Sequence, residues 1–60
     1  MTTYICTAEL TFFDYRHGEY VSVPLEHYST ASSEDEALYD AREVWEEHGY
    51  NPSEITIKLY

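Results

Sequence analysis

The chain has 60 residues and a formal charge of −9, because twelve Asp or Glu residues are offset by only three Lys or Arg residues. This length allows one domain, residues 1–60, and leaves little room for a substrate cleft, since a chain of this size buries only roughly 60% of the surface that it exposes when unfolded. The charge excludes direct binding of the chain as a whole to nucleic acid or to an anionic membrane surface. The hydrophobic fraction of 43% and the aromatic fraction of 17% exclude a disordered acidic tail.

Several kinds of segment are absent from the sequence. Cys6 is the only cysteine, so no internal disulfide can form, and this suits a reducing compartment. The sequence has no secretory signal and no apolar run near the roughly 18 residues that span a membrane. We therefore expect a cytoplasmic protein. Because the chain starts at Met1 and stops in a strand-like segment, we also expect a complete small gene product.

The first half of the chain alternates in polarity. Residues 3–15 are rich in Thr and aromatic residues with a period of two, which predicts a strand. The residues on its more apolar side are Tyr4, Cys6, Ala8, Leu10 and Phe12. A turn containing Gly18 follows, and alternation resumes over residues 19–28, which predicts a second strand and a hairpin. Pro24 has no N–H to donate and therefore places this second strand at a sheet edge.

The second half of the chain predicts a helix and a last strand. Ser33 and Glu36 fit a capping box, in which each side chain binds a free backbone N–H at the start of a helix. Apolar residues then recur at helical spacing for about four turns, and Gly49 follows the predicted helix end. The residues on this side are Ala37, Ala41, Val44, Trp45 and His48. Residues 55–60 alternate again, which predicts a third strand.

The order of these elements, β-β-α-β, predicts an α+β fold. A right-handed crossover returns the third strand parallel to the second. Placing it beside the first strand gives a three-stranded antiparallel sheet of order 2-1-3 with the helix packed on one face. The predicted core consists of Cys6, Ala8, Leu10, Phe12, Val21, Val23, Leu25, Ala37, Ala41, Val44, Trp45, Ile55, Ile57 and Leu59.

The residue types that carry chemistry are not spaced for catalysis or metal binding. Cys6 lies mid-strand on the predicted core face, where a cysteine acts as a small apolar side chain. His17, His27 and His48 lack the spacing of metal ligands. The spacing of the residues does not indicate any nucleophile, base and orienting group that would lie together in the fold. We therefore expect no enzymatic activity, no cofactor and no metal.

Four acidic residues repeat at i, i+4, i+7 and i+11 and so lie along one side of the predicted helix. This acidic row consists of Glu36, Asp40, Glu43 and Glu47, and it is flanked by Glu34, Asp35 and Glu46. The row spans about 16 Å with a charge about every 5 Å, which is comparable to the phosphate spacing of about 3.4 Å along one DNA strand. Two interpretations remain open: a nucleic-acid mimic that binds a basic protein surface, or a solvated helix face.

The predicted sheet face turned away from the helix is rich in aromatic residues. We call it the aromatic face, and it contains Ile5, Phe13, Tyr15, Tyr20, Tyr28 and Tyr60. Tyr is enriched in interfaces because its rigid side chain offers a large contact area with a polar tip. This face either binds a partner or a second copy, or it shields a small sheet from water. Glu9 and Glu26 on the same face argue against RNA stacking, which requires basic residues nearby.

A short acidic chain that opens MTTYICTAELTFF and closes ASSEDEALYDAREVWEEHGYNPSEITIKLY resembles the small proteins that bacteriophages and other mobile elements encode against host machinery, among which anti-CRISPR proteins are the best known. The resemblance lies in size, acidity and α+β organisation. It implies stoichiometric binding to a CRISPR effector complex or another nuclease, often at its nucleic-acid channel, in the cytoplasm of the host cell.

The sequence thus predicts an inhibitor that binds a basic, nucleic-acid-binding host protein. The acidic row with Glu34 and Asp35 would supply charge, and Tyr15, Tyr20 and Tyr28 would supply contact area. The alternative hypothesis is a structural or adaptor protein that forms a homodimer through the aromatic face. A third hypothesis, an antitoxin-like partner of one basic host protein, shares the first mechanism and differs only in its target.

Overall fold

The computed structural model describes all 60 residues, and it contains four elements. They are β1 (Thr2–Asp14), β2 (Glu19–Ala31), α1 (Glu34–Glu47) and β3 (Ile55–Leu59). The strands form one sheet of order β2-β1-β3, in which β1 is antiparallel to both neighbours. The predicted α+β fold and its strand order are confirmed. α1 is too short and too polar to cross a membrane.

The β1–β2 hairpin keeps one register over all thirteen residues of each strand. At its tip, Oδ1 of Asp14 accepts a hydrogen bond from the Arg16 N–H at 2.9 Å, and Oδ2 lies 2.8 Å from Nδ1 of His17. These contacts hold the pKa of Asp14 below its ordinary value. The contact with His17 has the largest effect, and the backbone hydrogen bonds have a smaller one. Gly18 closes the turn with a φ of +64°, a conformation that glycine adopts without steric cost.

The start of α1 confirms only half of the predicted capping box. Oγ of Ser33 accepts a hydrogen bond from the Glu36 N–H at 3.3 Å. The Glu36 carboxylate, however, accepts hydrogen bonds from the hydroxyl and the N–H of Ser32 and not from the N–H of Ser33. At the other end, His48 is the C-cap and Gly49 has a φ of +80°, as the helix-end pattern predicts.

The core is small and lies between α1 and the three-stranded half of the sheet, where β3 pairs with β1. Its buried members are Tyr4, Cys6, Ala31, Ala37, Ala41 and Trp45, with Ala8, Leu25, Ile55 and Ile57 packed against them. The helix contributes two alanines to this contact, so its backbone approaches the sheet closely. Sγ of Cys6 lies 3.8 Å from the carbonyl oxygen of Ala37.

Several predicted core residues lie outside the core, which corrects the prediction. They are Leu10, Phe12, Val21 and Val23 in the hairpin, Val44 on α1 and Leu59 on β3. Phe12 is 47% exposed and Leu59 is 69% exposed. The predicted faces are right, but a 14-residue helix spans about 21 Å, whereas a 13-residue strand spans about 43 Å. One helix therefore cannot cover the whole length of the hairpin.

The second strand is longer than predicted. β2 continues to Ala31 and does not end at residue 28, and Ser29 and Ala31 are both buried beneath α1. Tyr4, which belongs to the apolar side of β1, is buried as well. The core thus lies closer than predicted to the end of the sheet at which Thr2 pairs with Ala31.

The distal half of the hairpin extends beyond the helix and the third strand. β3 pairs only with Tyr4–Ala8 of β1, so residues 9–24 form a two-stranded projection that we call the arm. The molecule is correspondingly elongated, with dimensions of 44 × 19 × 14 Å.

Candidate binding surfaces

The acidic row borders a groove between α1 and the end of β2. The groove has a volume of about 320 Å³ and is lined by Ser29, Thr30, Ala31, Glu36, Tyr39, Asp40 and Glu43. Glu47, one turn beyond Glu43, is exposed, as are Glu34 and Asp35 in the first turn. Three members of the predicted row thus line one concave surface, and the fourth extends it toward the end of the helix.

No Lys or Arg side chain forms an ion pair with these carboxylates. The carboxylates that contact a histidine ring are Asp14, which lies beside His17, and Asp40, which lies beside His27. The charge is also unevenly distributed, because seven of the twelve acidic residues lie on α1, where Arg42 is the only basic residue. The part of the molecule that contains α1 therefore has a strongly negative and uncompensated surface.

Asp40 has a structural role in addition to its place in the row. Its Oδ2 lies 2.9 Å from Nε2 of His27, and its side chain also accepts a hydrogen bond from Ser29. The His27 contact first, and the Ser29 contact second, hold the pKa of Asp40 below its ordinary value of 3.8. Asp40 thereby connects α1 to β2, while its side chain remains 47% exposed to the groove.

The contact between His27 and Asp40 is a feature that the sequence analysis missed. His27 lies two residues after Leu25 and therefore on the helix side of β2, opposite Cys6. Extending the alternation of the strand by one step would have placed it there. Its partner on α1 could not be identified from spacing, because the two residues belong to elements whose relative placement depends on tertiary packing.

The outer edge of β2 beside the groove has unpaired backbone groups. The Tyr60 N–H donates to the Thr3 carbonyl at 3.0 Å, so odd-numbered residues of β1 direct their backbone groups toward β3 and even-numbered ones toward β2. Cys6 pairs with His27, and alternation then directs the N–H and C=O groups of Glu26, Tyr28 and Thr30 outward. β2 has no neighbouring strand on that side.

The residues of the aromatic face form two clusters. Near the tip of the arm, the ring of Phe13 makes edge contacts with Tyr15 and Tyr20 at centroid distances of 5.0 and 5.1 Å. Near the chain ends, the rings of Tyr28 and Tyr60 are 4.9 Å apart. A hydrogen bond with Glu26 and the charge of that carboxylate raise the pKa of Tyr28. Tyr15 and Tyr20 are 89% and 75% exposed, so these rings are available for contact.

The arm exposes apolar side chains on both of its faces. Phe12 and Val23 lie on the helix side beyond the end of α1, and Phe13 and Tyr20 lie on the aromatic face. No charged residue occurs in the segments 10–13 and 20–25. Because a two-stranded hairpin alone is only marginally stable in water, covering either face of the arm would lower the free energy.

The remaining reactive groups are placed as follows. Cys6 is buried, and its burial raises the pKa of its thiol. The charge of Asp40 raises this pKa further, with a smaller effect. Nδ1 of His48 lies 2.9 Å from the Val44 carbonyl oxygen at the end of α1. No group of three or more His, Cys, Asp or Glu side chains is arranged to hold a metal ion. A shallow depression on the aromatic face contains only Glu9, Glu26 and Glu54 as titratable residues.

Comparisons of the chain with protein families, with curated proteins and with solved structures give no match.

Proposed function

We propose that the protein is an inhibitor that occupies the basic, nucleic-acid-binding surface of another protein, such as a CRISPR effector complex. The observation that supports this most directly is the acidic row, whose carboxylates have no Lys or Arg partner within the chain. Like charges at i, i+4 destabilise a helix by about 0.2–0.5 kcal/mol per pair. A positively charged partner surface would remove this cost, whereas water and salt only screen it.

The proposed mechanism is electrostatic attraction followed by steric occupation. The field of the α1 region accelerates encounter with a positive surface, and the bound chain then excludes nucleic acid from that surface. Exposed aromatic side chains such as Tyr15, Tyr20 and Tyr28 supply contact area in the complex. We assign this activity to the cytoplasm of the host cell, which suits a chain whose single thiol is buried and forms no disulfide.

Two triple variants with the same change of charge test whether position matters. In the row variant, two members of the acidic row, Glu43 and Glu47, and the flanking Glu46 become Gln. In the control variant, Glu9, Glu19 and Glu54 become Gln. All six carboxylates are exposed and belong to no ion pair. Both variants keep the contacts of Glu36 and Asp40 intact, so both should fold like the parent chain.

The measurement is capture of nucleic-acid-binding proteins from a nuclease-treated bacterial lysate, followed by titration of each captured protein at about 50 and about 300 mM NaCl. The row variant should bind at least about tenfold more weakly than the control variant, and duplex DNA should displace the parent chain from the captured protein. Equal losses in the two variants, or simultaneous binding of DNA and this chain, would contradict the proposal.

A second candidate function is self-association, which the apolar side chains on both faces of the arm favour. In this case the protein would be a structural or adaptor protein whose homodimer covers the aromatic face. Sedimentation at micromolar concentration should then detect a dimer that is lost when Tyr20 and Tyr28 are changed to Ser. Tyr39→Ser, which alters an equally exposed ring on α1, is the control and should leave the dimer intact. A monomer at all concentrations would exclude this candidate.

A further inference from the structure

We infer that the free edge of β2 binds an extended basic segment of the partner protein, which joins the sheet as a strand antiparallel to β2 beside α1. This inference rests on the proposed function and specifies the part of the partner that is recognised. It combines two features on the same side of the molecule, the unpaired backbone groups of β2 and the groove that the acidic row borders.

The edge of β2 offers a complete set of hydrogen-bonding groups. Glu26, Tyr28 and Thr30 direct both N–H and C=O outward, as an incoming strand requires. Proteins commonly protect such edges with charged side chains, especially Lys, or with Pro. In β2 these residues are Glu19 and Pro24, which lie in the arm, and Glu26, whose negative charge attracts a basic segment. The portion of the edge beside the groove is therefore the portion left open to strand addition.

The geometry of an antiparallel pair determines which side chains of the segment reach the acidic row. Residues directly opposite each other place their side chains on the same sheet face. Tyr28 lies on the aromatic face, so segment residues that bind its backbone groups also point to that face. The residues between them point to the helix side, where Glu36, Asp40 and Glu43 line the groove.

The spacing of these carboxylates is close to that of alternate residues of a strand. Alternate side chains along a strand are about 6.8 Å apart, and successive members of the acidic row are about 4.5–6 Å apart along the helix axis. The segment therefore has Lys or Arg at every second position, with apolar or β-branched residues between them that pack beside Tyr28. A second copy of this chain is disfavoured on the same edge, because it would bring two acidic rows together.

A pair of N-methylated peptides tests the inference. The probe is a labelled nine-residue peptide in which Lys alternates with Val, and its affinity is measured by fluorescence anisotropy. Methylation of the Val amides, which would bind β2, should weaken binding by about tenfold or more. Methylation of the Lys amides, which point away from β2, should have less than about a threefold effect. No binding of the unmethylated peptide, or equal effects of the two methylations, would overturn strand addition.

A matched pair of proline substitutions tests the same contact from the side of the protein. Thr30→Pro and Ser22→Pro each remove an outward N–H from β2, at positions equivalent to that of Pro24. Each also removes one exposed cross-strand hydroxyl contact of 3.0 Å, with Thr3 and with Thr11 respectively. Thr30→Pro should abolish peptide binding, whereas Ser22→Pro in the arm should preserve it. Equal binding by both variants would contradict the inference, and the peptide pair decides the question if Thr30→Pro does not fold.

Failure of this inference can be distinguished from failure of the proposed function. If both methylated peptides bind alike while the row variant still loses its captured proteins, attraction to a basic surface stands and strand addition is wrong. If the row and control variants behave alike in the lysate assay, the proposed function itself is wrong.

Discussion

Nε2 of His27 lies 2.9 Å from Oδ2 of Asp40, and this contact fixes the middle of α1 to the edge strand β2. His27 is opposite Cys6 in the sheet, so the pair lies at the border of the core. On its other side, Asp40 lines the groove beside the unpaired edge. The same carboxylate thus stabilises the placement of the helix and contributes to the surface that we propose to bind a basic partner.

Acid should weaken this contact. Because the pKa of Asp40 in the folded protein is below 3.8, the ionised carboxylate stabilises the fold at pH values above 3.8, and this contribution is lost as the pH falls through the lowered value. Asp40→Asn should therefore cost about 1 kcal/mol near pH 7, a figure reduced by its partial exposure, and less near pH 3.

Urea unfolding at the two pH values measures this difference. Glu46→Gln, which removes an exposed carboxylate that belongs to no ion pair, is the control and should change stability little at either pH. An Asp40→Asn penalty of the same size at both pH values would show that the ionised form of Asp40 adds nothing to stability.

The core and the arm should respond very differently to loss of an aromatic side chain. Trp45 is buried beneath the sheet, so Trp45→Ala should cost about 3–5 kcal/mol, a large part of the roughly 5–15 kcal/mol that stabilises a typical domain. Phe12 is about half-exposed, and Phe12→Ala should cost about 1 kcal/mol or less. Chemical denaturation of both variants measures this contrast. A large loss at Phe12 that increases with protein concentration would instead indicate that a second copy covers the arm.

The Cys6 thiol should react only when the protein unfolds. Its side chain is buried, and burial together with the charge of Asp40 raises its pKa, which reduces the thiolate fraction at neutral pH. A disulfide reagent should label it at least about a thousandfold more slowly in the folded than in the urea-unfolded protein. A chain with Cys6→Ala and Ser53→Cys, where the thiol is exposed, should react at once. Rapid labelling of Cys6 without denaturant would show that the thiol is not buried.

The fold was predictable because each local signal had one dominant interpretation. The alternation around Leu10 and Val23 identified two strands, Pro24 identified an edge, and Ser33 and Gly49 marked the ends of the helix. The crossover rule gave the direction of β3 relative to β2, and placing β3 beside β1 then gave the order of the sheet. These signals depend on residues near one another in sequence, and the structure confirms them.

The extent of the core was less predictable, because it depends on the length of the helix relative to the strands and not on the alternation of polar and apolar residues. Alternation shows that Phe12 and Val21 share a face with Cys6, but it does not show where α1 ends above the sheet. Polar Ser29 likewise gave no sign that β2 continues beneath the helix. The contact of His27 with Asp40 is a consequence of the same tertiary placement, which no local pattern in the sequence specifies.

The concentration of acidic residues on α1 makes the negative potential of the 44 Å molecule stronger around the helix than around the tip of the arm, so the molecule has an electrically distinct end. A positive surface exerts a torque on such a molecule at distances where no side chains touch. In the complex that we propose, the chain would therefore rotate before it docks, with α1 foremost. The arm would follow, so that Tyr15 and Tyr20 add contact area after α1 has docked and the bulk of the arm adds to the steric barrier against nucleic acid.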